Sequence, residues 1–329
     1  MVTRHMNRIA LVGYGRIVPR HLEVLRALDC EVVASCNRSE QGREKAMREG
    51  GIPRVYSAID AMLDRERPDG VLCCASPDEM ANAAVQILPF GIPTLLEKPP
   101  GVSLAELAAL RELAERYSTP VMVGLNRRYY SVLTKAIEDA GGPQAITAVF
   151  VEWSEEPEYL LADRGYSPVQ VAQRIYSNSL HGLDLLTFLA GELVSPSVIG
   201  LNLGEPFRWM MSLQGVSRQG VLATFHSTWD SPSRWQLVFC SRKRRYQFAP
   251  LESCVVSELG QKGTRLIEPD ELDTKFKPGF YRQACAFLDM VRTRQVPNQQ
   301  GLAGAEMSMT LAEALTKACL PHRANTAAD

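Results

Sequence analysis

The sequence predicts an α/β protein: a parallel sheet wrapped by helices at the N-terminal end, then an α+β domain with a large, mostly antiparallel open sheet. Three observations predict this. Through the first 124 residues, short apolar runs alternate with stretches of helical periodicity, the pattern of strands joined by crossover helices. The first apolar run ends in a glycine turn, Gly13-Tyr14-Gly15, that leads straight into a helix. Beyond about residue 125 the alternation stops and candidate strands follow one another, as in an antiparallel sheet.

A chain of 329 residues has material for about two domains, and the change of pattern divides it into residues 1–124 and 125–329. Lys and Arg number 36 against 37 acidic residues, a net charge of −1, which offers nothing to a polyanion such as nucleic acid. The basic cluster Arg242 to Arg245 lies between strand-like segments and reads as a solvated edge or hairpin. The 8 cysteines form no C-x-x-C pair and lie mostly in apolar surroundings, which predicts reduced thiols in a cytoplasmic protein. No apolar run approaches the roughly 18 residues that span a bilayer, so no membrane association is expected.

Taken in order, Arg8 to Val12 reads as a buried strand, and Val18, Leu22, Leu25 and Leu28 mark the apolar face of the helix after the glycines. Strand, glycine turn and helix are the context of a Rossmann dinucleotide fingerprint. Gly13 permits the tight turn. Gly15 lets backbone N–H groups approach a pyrophosphate at the helix N-terminus, where Arg16 and Ile17 follow it. The third small residue of the fingerprint is replaced by Val18. His21, on the helix, reads as a packing or local hydrogen-bonding residue.

The second strand, Glu31 to Cys36, ends at Asn37-Arg38-Ser39, where a carboxylate would bind the ribose hydroxyls of NAD. Asn37 repels no 2′-phosphate, and Arg38 and Ser39 can bond one, so NADP(H) is favoured over NAD(H). An ordinary polar loop that takes either cofactor is the alternative. Ser57 to Asp60 opens a short helix, and Gly70 to Ala75 is a near-continuous apolar strand. Ser76-Pro77-Asp78-Glu79 supplies an N-cap, a proline at the first helical position and a capping-box Glu.

The next strand (Ile92, Thr94, Leu95, Leu96) stops at Glu97 and Lys98. Two prolines then end the ladder, and Ser103 with Glu106 forms a capping box for a helix from Leu104 to Tyr117. A lysine delivered by a strand end has a fixed position and can lose solvent, as a proton donor near neutral pH requires. The competing reading is an exposed salt bridge on a turn. Pro120 to Gly124 is a further buried strand, running into Leu125-Asn126-Arg127-Arg128-Tyr129.

In the second half, strands are expected at 145–153, 197–203, 208–213, 220–227, 235–240, 246–249 and 253–258. Trp209, Met210, Met211, Phe225 and Trp229 are read as core rather than as a stacking surface. One helix, roughly Pro168 to Ala190, interrupts them; Ser177, His181 and Asp184 share one of its faces. The helices Phe280 to Arg292 and Leu302 to Ala318 read as structural, and the polar tail from His322 as frayed. No zinc-type H-x-x-x-H, Walker loop or G-x-S-x-G elbow competes for the chemistry, and no metal is expected.

Glu97-Lys98-Pro99 resembles the Glu-Lys-Pro signature of the Gfo/Idh/MocA oxidoreductases, and the resemblance covers nearly the whole chain. It implies hydride transfer between NAD(P) and a secondary alcohol or ketone of a sugar, nucleotide sugar or polyol, with Lys98 as proton donor or acceptor. It places Ser76 and Pro77 as counterparts of a Thr-Pro turn beside the cofactor, with Glu97 and Lys98 also in contact. A downstream His common in the family is Ala81 here. Asn126 and Arg127 lie at the crossing between domains, facing cofactor or substrate. The segment Ser-Leu-His-Gly-Leu-Asp resembles the family's D-x-x-x-H-x-x-D helix, whose His faces the nicotinamide; this assigns His181. The family's acidic residue four positions earlier is Ser177, so an Asp–His–Lys relay is not implied. Ser177 or Asn178 could bind a substrate hydroxyl, Tyr176 could supply a proton, and Tyr281 is a pocket candidate. The family's open sheet carries the subunit interface, which implies a homodimer or homotetramer. The alternatives are a non-catalytic cofactor-binding sensor or scaffold, and an enzyme that uses nicotinamide as a recycled aid to elimination or glycoside cleavage.

Overall fold

The computed structural model describes residues 6–204, 207–229, 231–232, 235–297 and 299–320. The tail expected to fray lies outside them. Two compact units divide the chain: Met1–Lys135 with Pro269–Glu306, and Ala136–Glu268 with Met307–Asp329.

The first unit is built on six parallel strands, β1 (Arg8–Val12), β2 (Glu31–Cys36), β3 (Val55–Tyr56), β4 (Gly70–Cys73), β5 (Thr94–Leu96) and β6 (Val121–Val123). Their order is β3-β2-β1-β4-β5-β6. Parallel neighbours require crossovers, here α1 (Val18–Ala27), α2 (Glu40–Arg48), α3 (Ile59–Glu66), α4 (Pro77–Ile87) and α5 (Leu104–Arg116). This is the doubly wound order of a Rossmann fold, in which the winding reverses between β1 and β4 and opens a crevice at the strands' carboxyl ends. The strands were legible because their central residues are mostly apolar, and these are buried: Ile9, Ala10, Val71 and Leu96 have no exposed surface. The two-residue β3 is too short to give a pattern. The core joins Ile9, Leu11, Leu72, Leu95 and Met122 of the sheet to Val18, Leu22 and Leu25 of α1.

Phe287 and Met290, from the helix Phe280–Thr293, belong to that same core. A Cβ on Gly70 would lie 2.8 Å from Val291 Cγ2 and 3.0 Å from Phe287 Cζ, so glycine at the start of β4 admits this helix onto the sheet. The segment 269–306 is thus part of the first unit although it is distant in sequence.

Among the described residues the second unit holds eight strands, β7 (Ile146–Glu152), β8 (Leu193–Asn202), β9 (Trp209–Ser217), β10 (Leu222–Thr228), β11 (Gln236–Ser241), β12 (Arg244–Phe248), β13 (Cys254–Glu258) and β14 (Thr264–Ile267). The order is β14-β13-β12-β11-β7-β10-β9-β8. All pairings are antiparallel except β7 with β10. β14 was not expected; three of its four residues are exposed, so it lacks an apolar signature. Period-two alternation sorts the faces. Val149, Val151, Phe225, Leu213, Met211, Phe239 and Tyr246 are buried on the inner face, together with Trp209 and Trp229. The helix Leu180–Ala190 packs on that face. A Cβ on Gly182 would meet the Trp153 ring at 2.7 Å, so only glycine allows the helix to lie this close to β7.

Candidate cofactor and catalytic site

The glycine turn after β1 is stitched between its neighbours. Gly13 N–H donates to Cys36 O at the end of β2 (2.9 Å), and a Cβ on Gly13 would stand 2.7 Å from Cys74 O beyond β4. Its φ of +84° is also one that side chains disfavour, so glycine is required twice over. Gly15 differs: a Cβ there would meet only Cys74 O, at 3.9 Å, and both Gly15 and Arg16 are exposed. The helix α1 starts here at N-cap Ile17, without a side-chain cap and with no acidic residue in its first turn. Within the first turn Val18 N–H donates to Gly15 O (3.1 Å), Pro19 has no N–H and Arg20 N–H donates to Ile17 O (3.1 Å), so it is the open Gly15 backbone and the positive end of the helix dipole that suit this turn to a pyrophosphate.

At the end of β2, Asn37 is buried and its Nδ2 donates to Ser35 Oγ (2.9 Å). Ser39 caps α2, its Oγ accepting from Gly42 N–H (3.1 Å). Arg38 is exposed and pairs with Glu79 (Nη1 to Oε1, 2.9 Å). Arg43, not singled out in the sequence, donates from Nη1 to the carbonyls of Asn37 (3.0 Å) and Arg38 (2.8 Å). It sits one turn into α2, outside the fingerprint spacing. Ser76 and Pro77 open α4 as expected, but the capping box does not form. Ser76 makes no side-chain cap, and the Glu79 carboxylate turns to Arg38. A charge-assisted pair takes it in preference to a neutral backbone N–H.

Glu97 follows β5 and is buried. Its N–H donates to Cys73 O (2.8 Å), while Gly124 N–H donates to Leu96 O (2.7 Å). One carboxylate oxygen lies 2.8 Å from His21 Nε2, and the other accepts Lys98 N–H at 3.2 Å. Burial alone would raise the Glu97 carboxyl. The hydrogen bond and charge of His21, with Lys98, outweigh it and hold the group below its ordinary value. An ionised carboxylate only accepts, so His21 Nε2 carries the proton between them. The His21 ring also packs tilted against Phe280, centroids 4.7 Å apart. His21 therefore makes a buried tertiary contact rather than a local one. The exposed-salt-bridge reading of Glu97 does not hold, because its carboxylate faces inward. Lys98 is half-buried, and the Lys98–Pro99 peptide is cis. The following helix starts at Leu104 as expected. Ser103 Oγ accepts Glu106 N–H (3.2 Å), but the Glu106 carboxylate reaches back to Val102 N–H (2.7 Å) rather than to Ser103.

Asn126 opens a short 3-10 turn after β6, and its Nδ2 donates to Pro278 O (3.1 Å), tying down the returning segment; Arg127 beside it is half-buried. Tyr281 stacks on Phe276. Burial pushes the Cys36 thiol up to about 11 and Cys73 up to about 12, so neither is a thiolate nucleophile at neutral pH. Among the described residues, no group of three or more His, Cys, Asp or Glu could hold a metal, and no helix is long and apolar enough to cross a membrane.

In the second unit, the helix expected over 168–190 is instead three pieces. Pro168–Ala172 and Leu180–Ala190 are α-helical, and Ile175–Ser179 between them is a π-helical turn. Ser177, Asn178, His181 and Asp184 are all buried. The wide turn is held by Glu155, another residue that sequence reasoning missed. Its Oε2 accepts from Arg174 Nε and Nη2 (both 3.0 Å), and its Oε1 accepts from Asn178 Nδ2 (2.8 Å) and Ser179 Oγ (3.0 Å). Burial pushes the Glu155 carboxyl up, against the opposing pull of Arg174, Asn178 and Ser179. Asn178 thus gives its amide to Glu155. Tyr176 bonds Thr316, and burial raises its hydroxyl pKa. The His181 ring lies 6.4 Å from that of Trp153.

Residues 7–125 match the sequence profile of a family described as oxidoreductase, NAD-binding Rossmann fold. Similar proteins include the myo-inositol 2-dehydrogenase of Thermotoga maritima, 23% identical over 194 residues (57% of this chain, 56% of the relative). The D-apiose dehydrogenase of Paraburkholderia graminis is 26% identical over 194 residues (56% of this chain, 50% of the relative). The matched part thus spans about half the length of these relatives. Among solved structures, a dehydrogenase from Chromobacterium violaceum superposes with a TM-score of 0.82 at 16% identity, covering 95% of each chain. A UDP-N-acetylglucosamine 3-dehydrogenase from Acidithiobacillus ferrooxidans superposes with a TM-score of 0.77 at 16% identity, covering 95% of this chain and 98% of that one. At these identities the superpositions establish a shared fold.

Proposed function

We propose that the chain is an NAD(P)-dependent dehydrogenase or reductase, a reading supported by the match of residues 7–125 to the profile of an oxidoreductase family with the NAD-binding Rossmann fold. Its substrate is a small molecule, a sugar, nucleotide sugar or polyol with a reacting secondary alcohol or ketone. The observation that carries this is Lys98 at the carboxyl end of β5, beside a buried carboxylate that His21 and the Lys98 N–H both hold. Curated relatives named for myo-inositol and D-apiose support the substrate class.

The bound nicotinamide supplies or accepts the hydride, which no side chain of the protein can do. Gly13, Gly15 and the N–H groups near Arg16 and Ile17 hold the pyrophosphate. Asn37, Arg38 and Ser39 hold the adenosine ribose and favour NADP(H). Ser76, Pro77, Glu97, Asn126 and Arg127 complete the cofactor contacts. Lys98 Nζ hydrogen-bonds the substrate oxygen: it takes the hydroxyl proton as the carbon loses hydride, and returns one in the reverse direction. Glu97 fixes the Lys98 backbone and adds a negative charge behind it. His181 orients the substrate, and Ser177 rather than Asn178, whose amide is held by Glu155, binds a neighbouring hydroxyl.

Lys98→Met tests the assignment. Against a panel of polyols and sugars headed by myo-inositol and D-apiose, turnover should fall about 10²- to 10⁴-fold, with cofactor affinity nearly intact. Unchanged turnover removes Lys98 from the mechanism. A second reading, a cofactor-binding scaffold without chemistry, is favoured by Ser177 in place of an acid. Tight cofactor binding with no turnover across the panel would support it.

The chain is further proposed to assemble as a homodimer or homotetramer through its eight-stranded sheet. Phe150, Val194, Ile199, Leu201, Val216 and Leu266 are exposed apolar side chains on the face opposite the helix Leu180–Ala190. A cytoplasmic location accords with 8 free cysteines.

A further inference from the structure

Arg38 carries the proposed NADP(H) preference, yet its guanidinium is committed to Glu79 at 2.9 Å. We propose that Glu79 sets the cofactor preference by holding Arg38 in an ion pair that an incoming 2′-phosphate must displace; this rests on the dinucleotide reading above.

The pair's place in the fold gives it that role. Arg38 follows β2, and Glu79 lies in the first turn of α4, which follows β4. β2 and β4 both pair with β1, so their ends are two strand spacings apart, roughly 10 Å, with the Gly13–Gly15 turn between them. The ion pair therefore straps the crevice where the adenosine end of a dinucleotide would lie. Arg38 is 78% exposed and Glu79 30% exposed, so the arginine is the partner able to swing.

The two states have matched bonds. With the strap closed, Glu79 neutralises Arg38 and the Ser76 cap stays incomplete. With a 2′-phosphate on Arg38, the Glu79 carboxylate is released to the Ser76 backbone N–H, the box that the Ser76-Pro77-Asp78-Glu79 spacing provides. The phosphate makes the stronger, bidentate partner for arginine. Other charges stay in place: Arg43 remains on the Asn37 and Arg38 carbonyls, and Glu40 and Asp78 occupy the first turns of α2 and α4. NADH brings no group that competes for Arg38. Glu79 therefore weakens NADPH binding and leaves NADH binding unchanged.

The test is fluorescence titration of the full chain with NADPH and with NADH, for wild type, Glu79→Gln, Arg38→Gln and the double variant. An exposed ion pair contributes little, so Glu79→Gln should tighten NADPH by about two- to fivefold and shift NADH by less than about twofold. The gain should shrink at high salt and vanish in the Arg38→Gln background. An unchanged NADPH affinity in Glu79→Gln, or equal tightening for both cofactors, overturns the inference and leaves the oxidoreductase reading standing. If wild type prefers NADH and Glu79→Gln moves it toward NADPH, the inference holds and the NADP(H) assignment falls. If neither cofactor binds wild type, both fall.

Discussion

At the scale of single residues, the account turns on a buried carboxylate. Glu97 stays ionised because His21 and the Lys98 N–H supply the stabilisation that burial removes. Its folded-state pKa lies below its ordinary value of 4.5, so its contribution to stability is fully present above that value. It is lost as pH falls through the folded value. Thermal denaturation of wild type and Glu97→Gln between pH 3 and 7 should therefore give curves that lie apart at neutral pH and converge on acidification. A constant gap would mean that the charge carries none of the difference. His21→Ala leaves the carboxylate short of a donor and should cost about 1–3 kcal/mol, read from urea unfolding. Unaltered stability there would show that the buried contact contributes nothing.

At the scale of elements, the π-helical turn is the feature that local sequence rules miss. Apolar spacing over 168–190 resembles one helix, and the residue that widens it, Glu155, comes from the segment just after β7, about 20 positions upstream. Glu155→Ala leaves Arg174 half-buried without its carboxylate and should cost about 3–5 kcal/mol, with Glu155→Gln costing less because the Asn178 and Ser179 geometry survives. Calorimetry that finds the two variants equally costly would put the whole loss on the charge that both remove, and an unchanged Glu155→Ala would deny the ion pair its role. Gly182→Ala drives a methyl into the Trp153 ring and should cost about 1–3 kcal/mol; a neutral result would show that the helix shifts freely on β7. What was legible follows from range. The Gly13–Gly15 turn, the Leu104 helix start and the Glu97-Lys98 strand end are each written within a few consecutive residues. Arg38–Glu79, His21–Glu97 and Glu155–Arg174 join residues that no short-range pattern connects. β3 and β14 are too short or too exposed to register.

At the scale of the molecule, the first unit is completed by chain from near the C-terminal end, since Phe287 and Met290 fill its core. Ending the chain at residue 268 would uncover that core, so the fragment should lose the cooperative thermal transition of the whole protein; a retained transition would show that the sheet and α1–α5 suffice. The same unit carries the central claim, that the turn after β1 and the carboxyl ends of β2, β4 and β5 form a nicotinamide dinucleotide site. The direct measurement is fluorescence titration of the wild-type chain with NADPH and NADH. The account predicts saturable binding of both, with NADPH the tighter. If neither binds at millimolar concentration, the fold is a Rossmann fold without its ligand, and the role given to Lys98 has no hydride to serve.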